Sequence, residues 1–200
     1  LIDRLFYKKK DFSKTDITNN IINIQVKKTK LNQSGQIGKY SINSIISDIP
    51  ELKPIEKYLR QLCELPLIDN FYCDKSYENN RKLNLSFGET KYFIDTLNNN
   101  KRKILEYVFK GNRNDCIPNL FCISYKGLTD KIIIYRINDI IEYLMNFSFK
   151  IKRSKTVISL GNIMSLQRKG GDSGRKSGNK LQFKLICSRL YINNRLEYIV

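Results

Sequence analysis

Along residues 15–28, polar and apolar positions exchange in short order around Asn19-Asn20. A pair of asparagines tolerates the positive φ of a tight turn, so this stretch predicts two short strands joined as a hairpin. From Ser41 to about Leu65 the period becomes helical: Pro54 suits a helix start, and Ile55, Leu59 and Leu62 recur on one face. A further helical stretch runs from about Thr90 to Phe109, broken at Asn98-Asn99-Asn100 and stopped by Gly111. The apolar runs Leu120–Tyr125 and Lys131–Ile137 predict strands, and Asn138 is placed to cap a helix ending near Met145. Shorter β-like runs follow at 147–153, 156–160, 163–168 and 181–187, interrupted by a polar, glycine-dotted loop over 169–180. No repeat and no Pro- or Gly/Ser-rich linker divides the chain. The pattern therefore predicts a single domain over 1–200 of the α/β class, a mixed sheet flanked by helices, with a strand-rich C-terminal third.

Composition narrows the partners. Two hundred residues with 41% hydrophobic content can bury one proper core. Lys and Arg number 36 against 19 Asp and Glu, a net charge of +17. A positive potential of that size favours a polyanion, because each neutralised phosphate releases counterions. Heavy use of Lys, Asn and Ile is also what an AT-rich genome would give, and composition alone leaves both explanations open. No run of about 18 apolar residues is present, so no helical membrane span is predicted, and no signal-peptide pattern is seen. The five cysteines are irregularly spaced, without a CxxC pair, and there is no histidine. No structural zinc site is therefore expected, and reduced thiols in a cytoplasmic, prokaryotic setting are expected. The missing histidines also remove the usual serine and cysteine hydrolase chemistries. Carboxylates, lysines or a metal held by oxygen ligands remain. A start at Leu1 instead of Met predicts a fragment or processed form.

The densest candidate chemistry is Lys14-Thr15-Asp16 followed by Ile24-Gln25-Val26-Lys27. A two-residue turn at Asn19-Asn20 would set Thr18 opposite Ile21 and Asp16 opposite Asn23. Asp16, Asn23, Gln25 and Lys27 would then share one face, with Ile22, Ile24 and Val26 on the other. Asp16 and Gln25 would sit diagonally, about 7–8 Å apart at Cα, close enough for both to reach one ion. Mg²⁺ takes oxygen ligands, commonly one or two carboxylates with waters and substrate phosphate oxygens. Asp16 would anchor it, and the Gln25 side-chain oxygen or the Val26 carbonyl would complete the protein's share. Lys27 would orient or help deprotonate an attacking water and offset charge on the phosphate. The same residues also fit a half-exposed hairpin with polar side chains facing water.

A second cluster lies near the C-terminus. Between 150 and 184 there are ten Lys or Arg and one acid, Asp172. Four glycines between 170 and 178 allow close backbone approach to a ligand. The interleaved Arg, Lys, Gln, Asn and Ser supply donors for base edges and phosphates. A flexible surface loop with solvated charges is the plainer reading, against which stand the flanking apolar runs and the alternation of Gln182-Phe183-Lys184.

These residues carry a resemblance. An Asp on one strand and an acidic-x-Lys motif on the next resembles the PD-(D/E)XK nuclease fold. Lys14-Thr15-Asp16, then Ile24-Gln25-Val26-Lys27-Lys28 and Asn32-Gln33-Ser34-Gly35-Gln36, is similar to type II restriction endonucleases of the MspI kind, in which an amide stands ahead of the Lys. Gln25 holds that position here, which removes one negative ligand. Gln182 and Lys184 match the Gln-x-Lys strand that in such enzymes enters the DNA groove. The resemblance covers about 14–36 and 160–184 and implies a PD-(D/E)XK restriction-endonuclease-like core. It implies a catalytic hairpin at about 14–30, a DNA-recognition segment at about 148–187, catalytic Asp16, Gln25 and Lys27, and Mg²⁺ held through Asp16, Gln25 and Val26. Candidate DNA contacts are Lys28, Gln33, Ser34, Gln36, Gln167, Arg168, Lys169, Ser173, Arg175, Lys176, Ser177, Asn179, Lys180, Gln182 and Lys184. Double-stranded DNA is the implied partner, together with a DNA methyltransferase of the same specificity that protects the host. A symmetric site cut in both strands suits a homodimer, although MspI-like enzymes leave the monomer open.

Two other classes fit the charge. A non-catalytic nucleic-acid-binding module could use the abundant Tyr and Phe for base stacking, but no RNP-type, KH-type or zinc-finger signature is present. A basic structural protein of a larger assembly fits less well with long helices and a well-patterned core.

Overall fold

In the computed structural model the described residues are 17–18, 23–29, 34–63, 83–111, 117–125, 131–168, 180–193 and 195–199. The chain forms two compact units, each assembled from separate segments. The first comprises Leu1–Ile37, Leu105–Asn146 and Leu185–Val200, the second Gly38–Ile104 and Phe147–Lys184.

The first unit is built on a five-stranded sheet in the order β1-β2-β4-β5-β10. Its strands are β1 (Ile17–Thr18), β2 (Asn23–Thr29), β4 (Leu120–Tyr125), β5 (Lys131–Arg136) and β10 (Arg195–Ile199). β2 and β4 run parallel, and the other pairings are antiparallel. β4 and β5 are apolar at nearly every position, as strands covered on both faces must be. Ile24 and Cys122 form a buried cluster on one face with Val26, Leu120, Ile132 and Ile134 packed against it. On the other face Phe121, Ile123, Ile133 and Tyr135 are buried. Phe109 of α4 (Lys101–Lys110) meets Phe121 edge-on there, ring centroids 5.9 Å apart. α5 (Ile137–Met145) buries Ile137, Ile140, Ile141 and Leu144, the spacing of a one-sided apolar stripe. Its N-cap is Arg136, not the expected Asn138. Arg136 pairs with Asp139 in the first turn at 2.8 Å while the apolar Ile137 already belongs to the helix, so the start precedes the asparagine.

The second unit carries an antiparallel-rich sheet in the order β3-β9-β8-β7-β6. Its strands are β3 (Ser34–Ser41), β6 (Phe149–Ile151), β7 (Val157–Leu160), β8 (Met164–Arg168) and β9 (Lys180–Ile186). α1 (Ile42–Asp48) is capped by the Ser41 side chain, and a 3₁₀ helix over Pro50–Ile55, with Pro54 inside it, leads into α2 (Glu56–Leu62). α3 (Phe87–Asn99) opens with a capping box in which Ser86 and Glu89 satisfy each other's backbone N–H. α3 and α4 are separated at Asn100, and Gly111, with φ of 79°, follows the end of α4 as expected. Asn98 accepts a hydrogen bond from the backbone N–H of Phe149 at 2.8 Å, and buried Lys101 donates to the carbonyl of Phe147. Those two contacts tie the helices to the first residues of the sheet. Tyr58 and Phe93 pack edge-on, 5.5 Å between centroids, and buried Arg60 bonds Glu56 at 2.8 Å and Asn43 at 2.9 Å.

Candidate active site

β2 is the strand on which the candidate chemistry lies. Its register against β4 pairs Ile24 with Leu120, Gln25 with Phe121, Val26 with Cys122 and Lys27 with Ile123. The period of two holds: Ile24 and Val26 belong to the Cys122 face, so Gln25 and Lys27 share the opposite one. That face is not open to water as a half-exposed hairpin would be. Gln25 is only 2% exposed and sits in the row Gln25–Phe121–Tyr135, while Lys27 is half-buried beside Ile123.

The expected two-residue turn is corrected. The hairpin pairs Thr18 with Asn23 and Ile17 with Ile24, a register shifted by two residues from the one expected. A shift of two keeps every side chain on its own face, so the hydrophobic pattern could not separate the two registers. Asp16 lies outside the described residues, and the Asn23 and Lys28 side chains are also outside them.

The side-chain oxygen of Gln25 is buried without a hydrogen-bond partner among the described residues. Such an orphaned acceptor costs about 1–3 kcal/mol unless something engages it. It fits a site in which a cation, or a water bound to one, completes the amide. Among the described residues no group of three or more His, Cys, Asp or Glu side chains could hold a metal. Any metal on this face would therefore need Gln25 oxygen together with a ligand from elsewhere in the chain.

The Cys187 thiol stands near Lys27 and Tyr135 near Cys187, and local spacing signals neither. Burial pushes the Cys187 thiol up to about 12, with the positive charge of Lys27 acting in the opposite direction. Burial likewise pushes the Tyr135 hydroxyl up to about 12, and that hydroxyl donates to the carbonyl of Leu190 at 3.4 Å. Both stay neutral near pH 7. Their proximity depends on β5 and on the turn at Cys187–Arg189 folding over distant sequence, which no local spacing encodes.

The recognition candidates divide by position. Ser34 and Gln36 are exposed on β3, Gln167 is half-buried on β8, and Lys180 and Lys184 are half-buried on β9. Arg168 and Gln182 are buried, and the Gln182 amide donates to the Arg168 carbonyl at 3.4 Å. Gln33, Lys169, Ser173, Arg175, Lys176, Ser177 and Asn179 lie outside the described residues.

A family model described as R.HinP1I restriction endonuclease matches residues 10–191. Among solved structures the chain is similar to restriction endonuclease MspI, crystallised in complex with its cognate DNA. The TM-score is 0.49 at 12% identity, covering 88% of this chain and 68% of that one. No curated protein matches.

Proposed function

The chain belongs to the R.HinP1I restriction endonuclease family, and from that premise we propose that it is a type II enzyme that hydrolyses double-stranded DNA at a specific sequence with Mg²⁺. The observation that supports this reading beyond the family is the buried oxygen of Gln25, without a partner among the described residues and on the same strand face as Lys27. If the Ile17–Ile24 register continued one residue further, Asp16 would stand opposite Gln25, which supports a tighter pairing than the diagonal expected from sequence. Asp16, the Gln25 oxygen and the Val26 carbonyl would be the protein's ligands for the ion, within a PD-(D/E)XK-type core. A bound divalent cation supplies Lewis-acid polarisation of the scissile phosphate and acidifies a water.

The chain's own groups have separate tasks. Gln25 presents a neutral oxygen from a fixed, buried position, so it needs no reorganisation when a phosphate arrives. Lys27 holds the attacking water by hydrogen bonding and offsets negative charge as the water oxygen bonds to phosphorus and the P–O ester bond breaks, the water's proton passing to solvent and the departing alkoxide taking one from it. Water attacks directly, with no covalent enzyme intermediate. The net charge of +17 draws the duplex to the protein. A protecting methyltransferase of the same specificity, a cytoplasmic setting and action as a homodimer belong to the same proposal.

Supercoiled plasmid incubated with the protein and Mg²⁺ should give discrete fragments, and chelation of the metal should stop the reaction. Lys27→Ala should cut at least about a thousandfold more slowly while keeping the wild-type melting temperature. Undiminished cleavage by that variant would overturn the site. Salt-sensitive binding without strand breakage under any divalent ion would leave only a basic nucleic-acid-binding protein.

A further inference from the structure

The face of the first sheet that carries Gln25 and Lys27 also carries a tyrosine with no part in the proposed chemistry. The registers set Gln25, Phe121, Tyr135 and Arg195 in one row and Lys27, Ile123, Ile133 and Glu197 in another. Partners in register point to the same side of a sheet, so Tyr135 rises from the Gln25 and Lys27 face. Its ring is buried, and its hydroxyl donates to the carbonyl of Leu190 at 3.4 Å. The turn made by the 3₁₀ helix Cys187–Arg189 and by Leu190 therefore lies against that face.

The turn is held by its backbone. The Leu190 N–H donates to the Cys187 carbonyl at 3.1 Å and closes it. The Arg189 carbonyl accepts from the hydroxyl of Tyr143 on α5 at 3.3 Å, and the Leu190 carbonyl accepts from Tyr135 on β5. Two hydroxyls from two elements thus grip consecutive carbonyls, which fixes the orientation of the turn as well as its place. Cys187 and Leu190 are both buried, while Arg189 between them is exposed.

What the grip holds in place is the Cys187 side chain. The charge of Lys27 acts on its thiol, and the thiol acts on the Tyr135 hydroxyl, so the three groups are neighbours. Lys27 is half-buried, and its flexible four-carbon stem does not by itself fix where the ammonium stands. A reacting group displaced by about 1 Å can cost about a hundredfold in rate. The position of Lys27 is therefore set by what packs against it, and Cys187 is brought there by a turn from distant sequence.

We propose that Tyr135 and Tyr143 are positioning residues for Lys27: they pin the Cys187–Leu190 turn so that the Cys187 side chain walls in the lysine and keeps its ammonium aligned for the reaction. The reaction itself rests on the proposed endonuclease function. The pinned turn rests on the hydrogen bonds alone.

Tyr135→Phe with Tyr143→Phe removes two oxygens and leaves both rings. Each lost hydrogen bond should raise the population of the opened turn about fivefold, or about 25-fold together. Iodoacetamide reaches a buried thiol only through such opening, so alkylation of Cys187 in the native protein, read by peptide mass spectrometry, should accelerate by that factor. Single-turnover cleavage of plasmid at saturating protein and Mg²⁺ should slow about ten- to a hundredfold, while affinity for a short duplex without divalent metal stays at the wild-type value. Tyr58→Phe removes a tyrosine hydroxyl bonded to Glu89 in the second unit and should change neither rate. Tyr143→Phe alone, at a half-buried position, keeps the test in hand if the double variant does not fold, and should accelerate alkylation about fivefold. Unchanged alkylation would overturn the pinned turn. Faster alkylation with wild-type cleavage, or duplex affinity lost in step with cleavage, would overturn the positioning of Lys27. Failure of the wild-type protein to cut plasmid with Mg²⁺ would sink the endonuclease function instead, and alkylation would still decide whether the two hydroxyls hold the turn.

Discussion

Each sheet buries one glutamine among the described residues, and the two are in opposite circumstances. Gln25 is 2% exposed on a face whose neighbours are Phe121 and Tyr135, and its side-chain oxygen has no partner there. Gln182 is 5% exposed on a face of lysines, serines and a second glutamine, and its amide donates to the Arg168 carbonyl. Equal burial therefore means different things. A satisfied amide on a polar face is part of an ordinary sheet, and an unsatisfied one among aromatic rings is a cost that folding alone does not explain. Natural sequences keep such a cost where function needs the group, which is why the proposed chemistry is put on Gln25 and not on Gln182.

The largest expected effect tests that distinction. Gln25→Leu removes the orphaned oxygen and keeps the volume. Cleavage with Mg²⁺ should fall about a hundred- to a thousandfold, and stability should rise by about 1 kcal/mol, or roughly 2–4 °C in melting temperature for a chain of this size. Opposite signs in activity and stability are the signature sought in plasmid digestion and thermal melting. A variant that loses both would make Gln25 a structural residue.

The two units should also differ in pH response. In the first, burial pushes Cys122 up to about 11 and both Cys187 and Tyr135 up to about 12. A raised folded pKa gives stability that is complete below the ordinary pKa, 9.0 for the thiols, and that drains away as pH climbs through the folded value. In the second, hydrogen bonds from Lys53 and then Arg60 hold Glu56 below its ordinary 4.5. That stability is complete above 4.5 and is lost as pH falls through the folded value. Melting temperature followed across pH should show both limbs. Cys187→Ala should flatten only the alkaline limb and Glu56→Gln only the acid one. An alkaline limb unchanged by Cys187→Ala would show that burial of these groups does not govern the first unit.

Much of this architecture was readable locally. The break between α3 and α4 sits in the Asn98-Asn99-Asn100 run, and the bounds Leu120–Tyr125 coincide with β4, because Asn clusters and β-branched or aromatic runs act through neighbouring backbone. No strand is predicted from the residues of β3, since two glycines and few apolar residues carry little strand preference; it is a strand because it lies beside β9, far away in sequence. β10 escaped for the same reason. At the site, the common face of Gln25 and Lys27 followed from period two alone. The burial of Gln25 did not, because it arises from parallel pairing with β4 and the Phe121 and Tyr135 side chains that come with it.

The smallest effect is the most pointed control. Gln182→Leu is the same substitution at the satisfied glutamine. It removes a weak hydrogen bond, 3.4 Å long, from the Arg168 carbonyl and puts an apolar side chain on the polar face. A loss of about 0.5–1.5 kcal/mol is expected, opposite in sign to Gln25→Leu. If both variants gain stability alike in denaturant titrations, burial by itself sets the cost of these amides, and the missing partner of Gln25 carries no functional meaning. If Gln182→Leu loses stability as expected, the difference between the two glutamines lies in their hydrogen bonding, and the orphaned oxygen on β2 is the one that awaits a ligand.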